Sequence, residues 1–71
     1  MTVTRDVEIR GDTIRLGQVL KLAGVAGSGG EARALVEDGR VTVNGEVERR
    51  SGRQLRRGDE VAVDAEALRI V

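Results

Sequence analysis

Arginines crowd one stretch of this sequence. Arg49, Arg50, Arg53, Arg56 and Arg57 fall within nine residues that contain no carboxylate. A guanidinium stays charged near neutral pH, and its planar, paired N–H donors match the oxygens of a phosphate. Several on one surface would neutralise phosphates and displace their counterions. The stretch from Asp59 to Glu66 is the opposite, with four acids (Asp59, Glu60, Asp64 and Glu66) and no base. The net charge is zero, from 12 basic and 12 acidic residues, so the sorting of charge carries more information than its sum. The competing reading of the arginine run is a solvated loop, partly paired with the acids that follow it.

Lys21, Arg33 and Arg40 are further candidates, and so is Ser28. Arg33 lies opposite the Leu35–Val36 face of the second of two expected helices, with Arg40 seven positions on and roughly on the same side. Lys21 lies on the first helix, near the connection between them. Each is equally readable as an ordinary exposed charge, and Arg33 is spaced to pair with Glu37 at i, i+4. Ser28-Gly29-Gly30 offers free N–H groups at a helix start to a phosphate oxygen. Capping by Ser28 and Glu31 explains the same residues, and Glu31 would repel an anion. Asn44 and Gly45 suit a turn better than contact with a base edge.

Catalysis fails on inventory. The chain has no His and no Cys, so the common nucleophile–base pairs and metal-ligand sets cannot be assembled. Asp59 and Glu60 are neighbours on a strand and point to opposite faces. Gly27-Ser28-Gly29-Gly30-Glu31 lacks the Lys-Ser/Thr ending of a phosphate-binding loop. The expectation is therefore a non-enzymatic protein with no cofactor, no metal and no small-molecule substrate.

The elements that must position these residues can be read from periodicity. Val3, Val7 and Ile9 alternate with polar residues, with Arg5 as the exception, which predicts a half-buried strand. Gly11-Asp12 turns the chain. Thr13 then serves as N-cap of a helix whose Leu16, Val19, Leu20 and Ala23 form one apolar stripe, and Gly24 stops it. Gly17 inside that helix costs roughly 1 kcal/mol against Ala, and only a close backbone approach accounts for it. Ser28 opens a second helix with Glu31 reaching back in a capping box; Ala32, Leu35 and Val36 face inward and Gly39 ends it. The period then changes to two. Val41-Thr42-Val43, Asn44-Gly45 and Glu46-Val47-Glu48 predict a tight hairpin with a type I′ turn. Leu55 is the one large apolar anchor of the arginine segment, and Gly58-Asp59 leads into a strand bearing Val61 and Val63. Residues Leu68 to Val71 are placed to pair with the first strand. The fold class is α+β, a two-helix hairpin packed on a small, mainly antiparallel β-sheet.

Seventy-one residues make one domain, spanning 1–71. A chain this short buries only about 60% of its unfolded surface. With no disulfide and no Phe, Tyr or Trp, it must rely on an aliphatic core. No apolar run approaches the ~20 residues of a membrane span, and the N-terminus lacks a secretory signal pattern. A cytoplasmic, monomeric protein is the expectation.

From Ile14 to Val63 the sequence resembles the RNA-binding domain family named after ribosomal small-subunit protein four, also called the alpha-L motif. The matching pieces are Ile14 to Lys21, then Ser28 to Val36, Gly39 to Val47, and Leu55 to Val61. Each is weak by itself, whereas their order and spacing are specific. Within the family the chain is similar to short stand-alone bacterial proteins of the YbcJ type. These share Leu16-Gly17-Gln18, Ser28-Gly29-Gly30, Val43-Asn44-Gly45-Glu46 and an Arg-Arg-Gly element, here Arg49 to Arg53. The resemblance implies structured RNA as the partner, ribosomal RNA or tRNA, with a ribosomal subunit as the larger target in translation. Lys21, Ser28, Arg33, Arg40, Arg49, Arg50, Arg53 and Arg56 are the expected contacts. With no aromatic side chain to stack on unpaired bases, recognition by shape and backbone fits better than reading single strands. The rival expectation is a protein-interaction adaptor using its segregated charge or an exposed sheet edge.

Overall fold

The elements follow one another as β1 (Val3–Val7), β2 (Thr13–Arg15), α1 (Leu16–Leu22), α2 (Gly29–Glu37), β3 (Val41–Val43), β4 (Glu46–Val47), β5 (Gln54–Arg56), β6 (Glu60–Val63) and β7 (Glu66–Ile70). These come from a computed structural model that describes residues 3–71. Five strands form one sheet in the order β1-β7-β6-β3-β4, while β2 and β5 form a separate two-stranded ribbon. Every pairing is antiparallel except β1 with β7. The architecture is thus α+β with a mainly antiparallel sheet, and the C-terminal strand pairs with the first strand in a parallel sense.

Local chemistry explains most turns. Asn44 and Gly45 both take positive φ, 51° and 87°, as a type I′ turn requires. Asn44 does more than turn the chain: its Oδ1 accepts from the Glu60 N–H at 2.9 Å and its Nδ2 donates to Asp59 at 3.1 Å. That clamps the β3–β4 turn to the start of β6. Gly24 and Gly39 end the helices at φ of 75° and 77°, the left-handed conformation of a helix C′ residue. In α2 the Ser28 hydroxyl accepts the Glu31 N–H at 3.1 Å. The Glu31 carboxylate accepts from the Gly27 N–H at 2.8 Å, one residue earlier than the capping box predicts.

The start of α1 differs from the sequence expectation. Thr13 is no N-cap; it lies in β2, opposite Arg56 of β5, and Arg15 occupies the cap position. The helix needs no side-chain cap because its first free N–H groups meet carbonyls from elsewhere. Leu16 N–H donates to the Arg53 carbonyl and Gly17 N–H to that of Ser51, both at 2.9 Å. Such outside acceptors satisfy the orphan donors of a helix start as well as a hydroxyl would.

One apolar cluster joins the layers. Leu16, Val19 and Leu20 of α1, Ala32 and Val36 of α2, and Val41, Val43, Val61, Leu68 and Ile70 of the sheet are essentially solvent-free. Leu55 joins them from β5, which fixes the arginine segment to the core. In β1 only Val7 is buried and Val3 is 73% exposed, so the inward face begins late. Arg5, the odd residue of that strand, has a use: its Nη2 donates to the Ala23 carbonyl at 2.7 Å, at the C-terminal end of α1. A cation there meets the negative end of the helix dipole.

Candidate nucleic-acid interface

Where β2 runs into α1, three cations converge. Arg15, Gln18 and Lys21 follow one another at intervals of three, on the side of α1 away from its buried Leu16-Val19-Leu20 stripe. Arg33 and Gly29 of α2, Gly17, and the Ser51-Gly52 turn complete an open cleft of about 290 Å³. Among the described residues no carboxylate lines it. Among the described residues neither Arg15 nor Lys21 forms an ion pair. Arg33 is tied to Glu37 through Nε–Oε2 at 2.8 Å, the i, i+4 pair its spacing foretold.

The β2–β5 ribbon extends this surface. Thr13 faces Arg56, Ile14 faces Leu55, and Arg15 faces Gln54 across the pair. Directly opposed side chains share a face of the ribbon. Ile14 and Leu55 turn inward, leaving Thr13, Arg15, Gln54 and Arg56 exposed on the outer side. Arg15 therefore belongs both to the cleft and to the ribbon. Arg56 has no ion pair among the described residues; its backbone N–H donates to Asp59 at 2.8 Å, which holds that carboxyl below the ordinary carboxylate range.

The arginine run does not present a uniform row of free guanidinium groups. Arg50 and Arg53 flank the Ser51-Gly52 turn, and both reach back to Glu48. Arg50, whose side chain is 78% exposed, gives Nε to Oε2 at 3.2 Å and Nη2 to Oε1 at 3.3 Å. Arg53 gives Nη1 to Oε1 at 3.2 Å. Glu48 has a side chain only 9% exposed, and its pKa is lowered from 4.5 to about 2, chiefly by the Arg50 guanidinium. Arg57 donates to the Ile9 carbonyl at 3.0 Å. Arg49 lies over Gly39 and donates from Nη1 to the Glu37 carbonyl at 2.9 Å, where it covers the C-terminal end of α2.

Of the eight residues singled out from the sequence, Lys21 and Arg33 line the cleft, Arg50 and Arg53 flank its turn, and Arg56 lies on the adjoining ribbon. Ser28 precedes Gly29 at the cleft edge with its oxygen engaged in capping. Arg40 sits past the end of α2, where its Nη2 reaches Asp64 at 2.6 Å, so it does not share the cleft side of Arg33. Arg49 likewise contributes nothing to the cleft lining. Arg15 and Gln18 were missed, although their spacing with Lys21 was a usable signal. Among the described residues no helix is long and apolar enough to cross a membrane, and no cluster of His, Cys, Asp and Glu could hold a metal ion.

Comparison with known proteins identifies the family. The protein described as "Probable ribosome maturation protein RlbA" from Bacillus subtilis (strain 168) is 43% identical over 58 residues, 82% of this chain and 82% of the relative. The model of the S4 domain matches residues 7–71, beyond both ends of the 14–63 segment that carried the resemblance. With two helices on a mainly antiparallel sheet and this match over nearly its whole length, the chain belongs to the S4 domain family.

Proposed function

We propose that this protein acts by binding structured RNA, ribosomal RNA in particular, during ribosome maturation, and that it carries out no catalysis. The observation that carries this reading is the cleft lined by Arg15, Lys21 and Arg33 without a carboxylate, continued by Arg56 on the ribbon and flanked by Arg50 and Arg53. Six guanidinium or ammonium groups on preformed elements suit the phosphates of folded RNA, whose shape and backbone can be recognised without stacking. The chain has no aromatic side chain to offer. Membership of the S4 domain family supports RNA as the partner, and likeness to a probable ribosome maturation protein favours ribosomal RNA over tRNA. In this reading Arg40 and Arg49 serve the fold, and Ser28 serves mainly the helix start. The core closes within one chain, which supports action as a monomer, and maturing ribosomal subunits place it in the cytoplasm.

The test is the salt dependence of binding to a fluorescently labelled ribosomal RNA hairpin, with bulk tRNA as competitor. Four to six phosphate contacts give a slope of log K against log salt of roughly −3 to −5. Replacing Arg15, Lys21 and Arg56 together by Glu should abolish binding and leave the far-UV circular dichroism intact, because none of the three supports an ion pair among the described residues. Unchanged affinity in the triple variant would show the face to be wrong. Equal or better competition by tRNA would shift the substrate, and no binding at low salt would favour the protein-adaptor reading.

A further inference from the structure

Glu48 sits oddly in an RNA-facing neighbourhood. It is the one charged residue among those described that the fold buries, and its carboxylate cancels charge beside two arginines. A surface built only to attract phosphate would omit it. Its bonds show what it does instead. Oε2 accepts the backbone N–H of Arg50 and its Nε, both at 3.2 Å; Oε1 accepts Arg50 Nη2 at 3.3 Å and Arg53 Nη1 at 3.2 Å. The Glu48 N–H is itself held by the Val41 carbonyl of β3 at 3.0 Å.

One carboxylate thus ties the turn from both sides to the sheet. The turn closes on itself through Arg53 N–H to the Arg50 carbonyl at 3.2 Å, and it docks on α1 through the Ser51 and Arg53 carbonyls. We propose that Glu48 is a positioning residue for RNA binding, fixing the Arg50–Arg53 turn so that both guanidinium groups stand ordered beside the cleft. This rests on the RNA reading above. The guanidinium groups are not used up by the contact. Each has five N–H donors; Arg50 gives Glu48 two through its side chain and Arg53 gives one. Three and four therefore remain for phosphate oxygens. Holding two long side chains before the ligand arrives removes ordering that binding would otherwise have to impose.

The sign of one substitution separates positioning from charge. Glu48→Gln keeps the shape and adds one unit of positive charge to the face, so electrostatics alone makes binding to the labelled hairpin tighter. Positioning makes it weaker, by about tenfold for two rotamer-rich side chains set free. Glu46→Gln is the control, an equal change of charge on the exposed neighbouring strand β4, and it should not weaken binding. Amide exchange at Leu16 and Gly17 reads the docking of the turn without RNA, and Glu48→Gln should accelerate it. If that variant does not fold, Glu48→Asp takes its place: it keeps the charge, and it should weaken binding at an unchanged salt slope. Affinity equal to or tighter than wild type in the folded variant overturns the proposal. Should the wild-type chain itself not bind the hairpin, the RNA reading falls. Exchange at Gly17 then decides for Glu48: unchanged rates overturn its positioning of the turn, and faster rates sustain it.

Discussion

Replacing Arg15 by Gln isolates a single cation of the cleft. Its side chain is exposed and has no ion pair among the described residues, so the fold should change in stability by no more than about 0.5 kcal/mol. Its backbone N–H, bonded to the Gln18 side chain at 3.3 Å, is untouched. The effect on RNA is calculable. With six contacts and a slope of about 0.7 to 0.9 per contact, raising salt fourfold from about 50 to about 200 mM weakens wild-type binding by roughly 300- to 2,000-fold. With five contacts the same step costs roughly 130- to 500-fold. The deficit of the variant should therefore shrink by about threefold across that range, and its log–log slope should be shallower by nearly one. Fluorescence anisotropy titrations of a labelled ribosomal RNA hairpin at four salt concentrations resolve this. Arg40→Gln serves as the comparison, because Arg40 is engaged by Asp64 and lies outside the cleft lining. A slope unchanged in Arg15→Gln, or reduced equally in Arg40→Gln, would refute the assignment of the face.

Glycine substitutions should divide by location. A Cβ at Gly52 meets nothing within 4 Å, so Gly52→Ala should keep or slightly raise the melting temperature while its methyl group intrudes on the cleft and lowers RNA affinity. Gly39→Ala should destabilise the fold, since its φ of +77° strains any residue with a Cβ, and that Cβ would push the Arg49 guanidinium off the Glu37 carbonyl; a chemical denaturation midpoint equal to wild type would contradict this. Leu55→Ala removes a solvent-free side chain at a cost of about 2–5 kcal/mol, enough to unfold a large fraction of so small a domain, as far-UV circular dichroism would report. Stability should also depend on acid. Glu48, with its pKa lowered from 4.5 to about 2 in the fold, stabilises the native state fully above about 4.5 and loses that contribution as pH falls toward 2. Asp59, also lowered, acts in the same direction. Melting temperature should be level from pH 7 to 5 and then drop, with a smaller drop in Glu48→Gln; an equal drop there would clear Glu48 of the effect.

What could be read from the sequence was what short-range chemistry decides. Asn44-Gly45 specifies its turn by its own φ preferences, Ser28 and Gly39 bound α2, and the Leu16-Val19-Leu20 stripe marks the buried side of α1. Thr13–Arg15 escaped because a three-residue strand has little periodicity of its own. It exists through pairing with Gln54–Arg56, far along the chain, and the turn just before that segment supplies the Ser51 and Arg53 carbonyls that make a capping threonine unnecessary. The arginine segment was visible as composition, but composition does not show which guanidinium groups the fold has already taken. Arg49 and Arg57 went to backbone carbonyls, and Arg50 and Arg53 to a carboxylate only a few positions upstream. Arg15 was overlooked for the same reason as β2: assigned to the first turn of a helix, it had no evident connection with Arg33 or Gly52.

The parallel pairing of β1 with β7 has a mechanical consequence. Val3 lies beside Glu66 and Val7 beside Ile70, and the Val71 N–H donates to the Val7 carbonyl at 2.9 Å. Val3 and Val71 therefore lie at opposite ends of the strand pair, about 17 Å apart along it at a rise of about 3.3 Å per residue. Pulled from these two points, the strands slide along each other, so the hydrogen bonds between them bear the load together and cannot break in succession. The resistance of this small fold to tension is concentrated in that one seam.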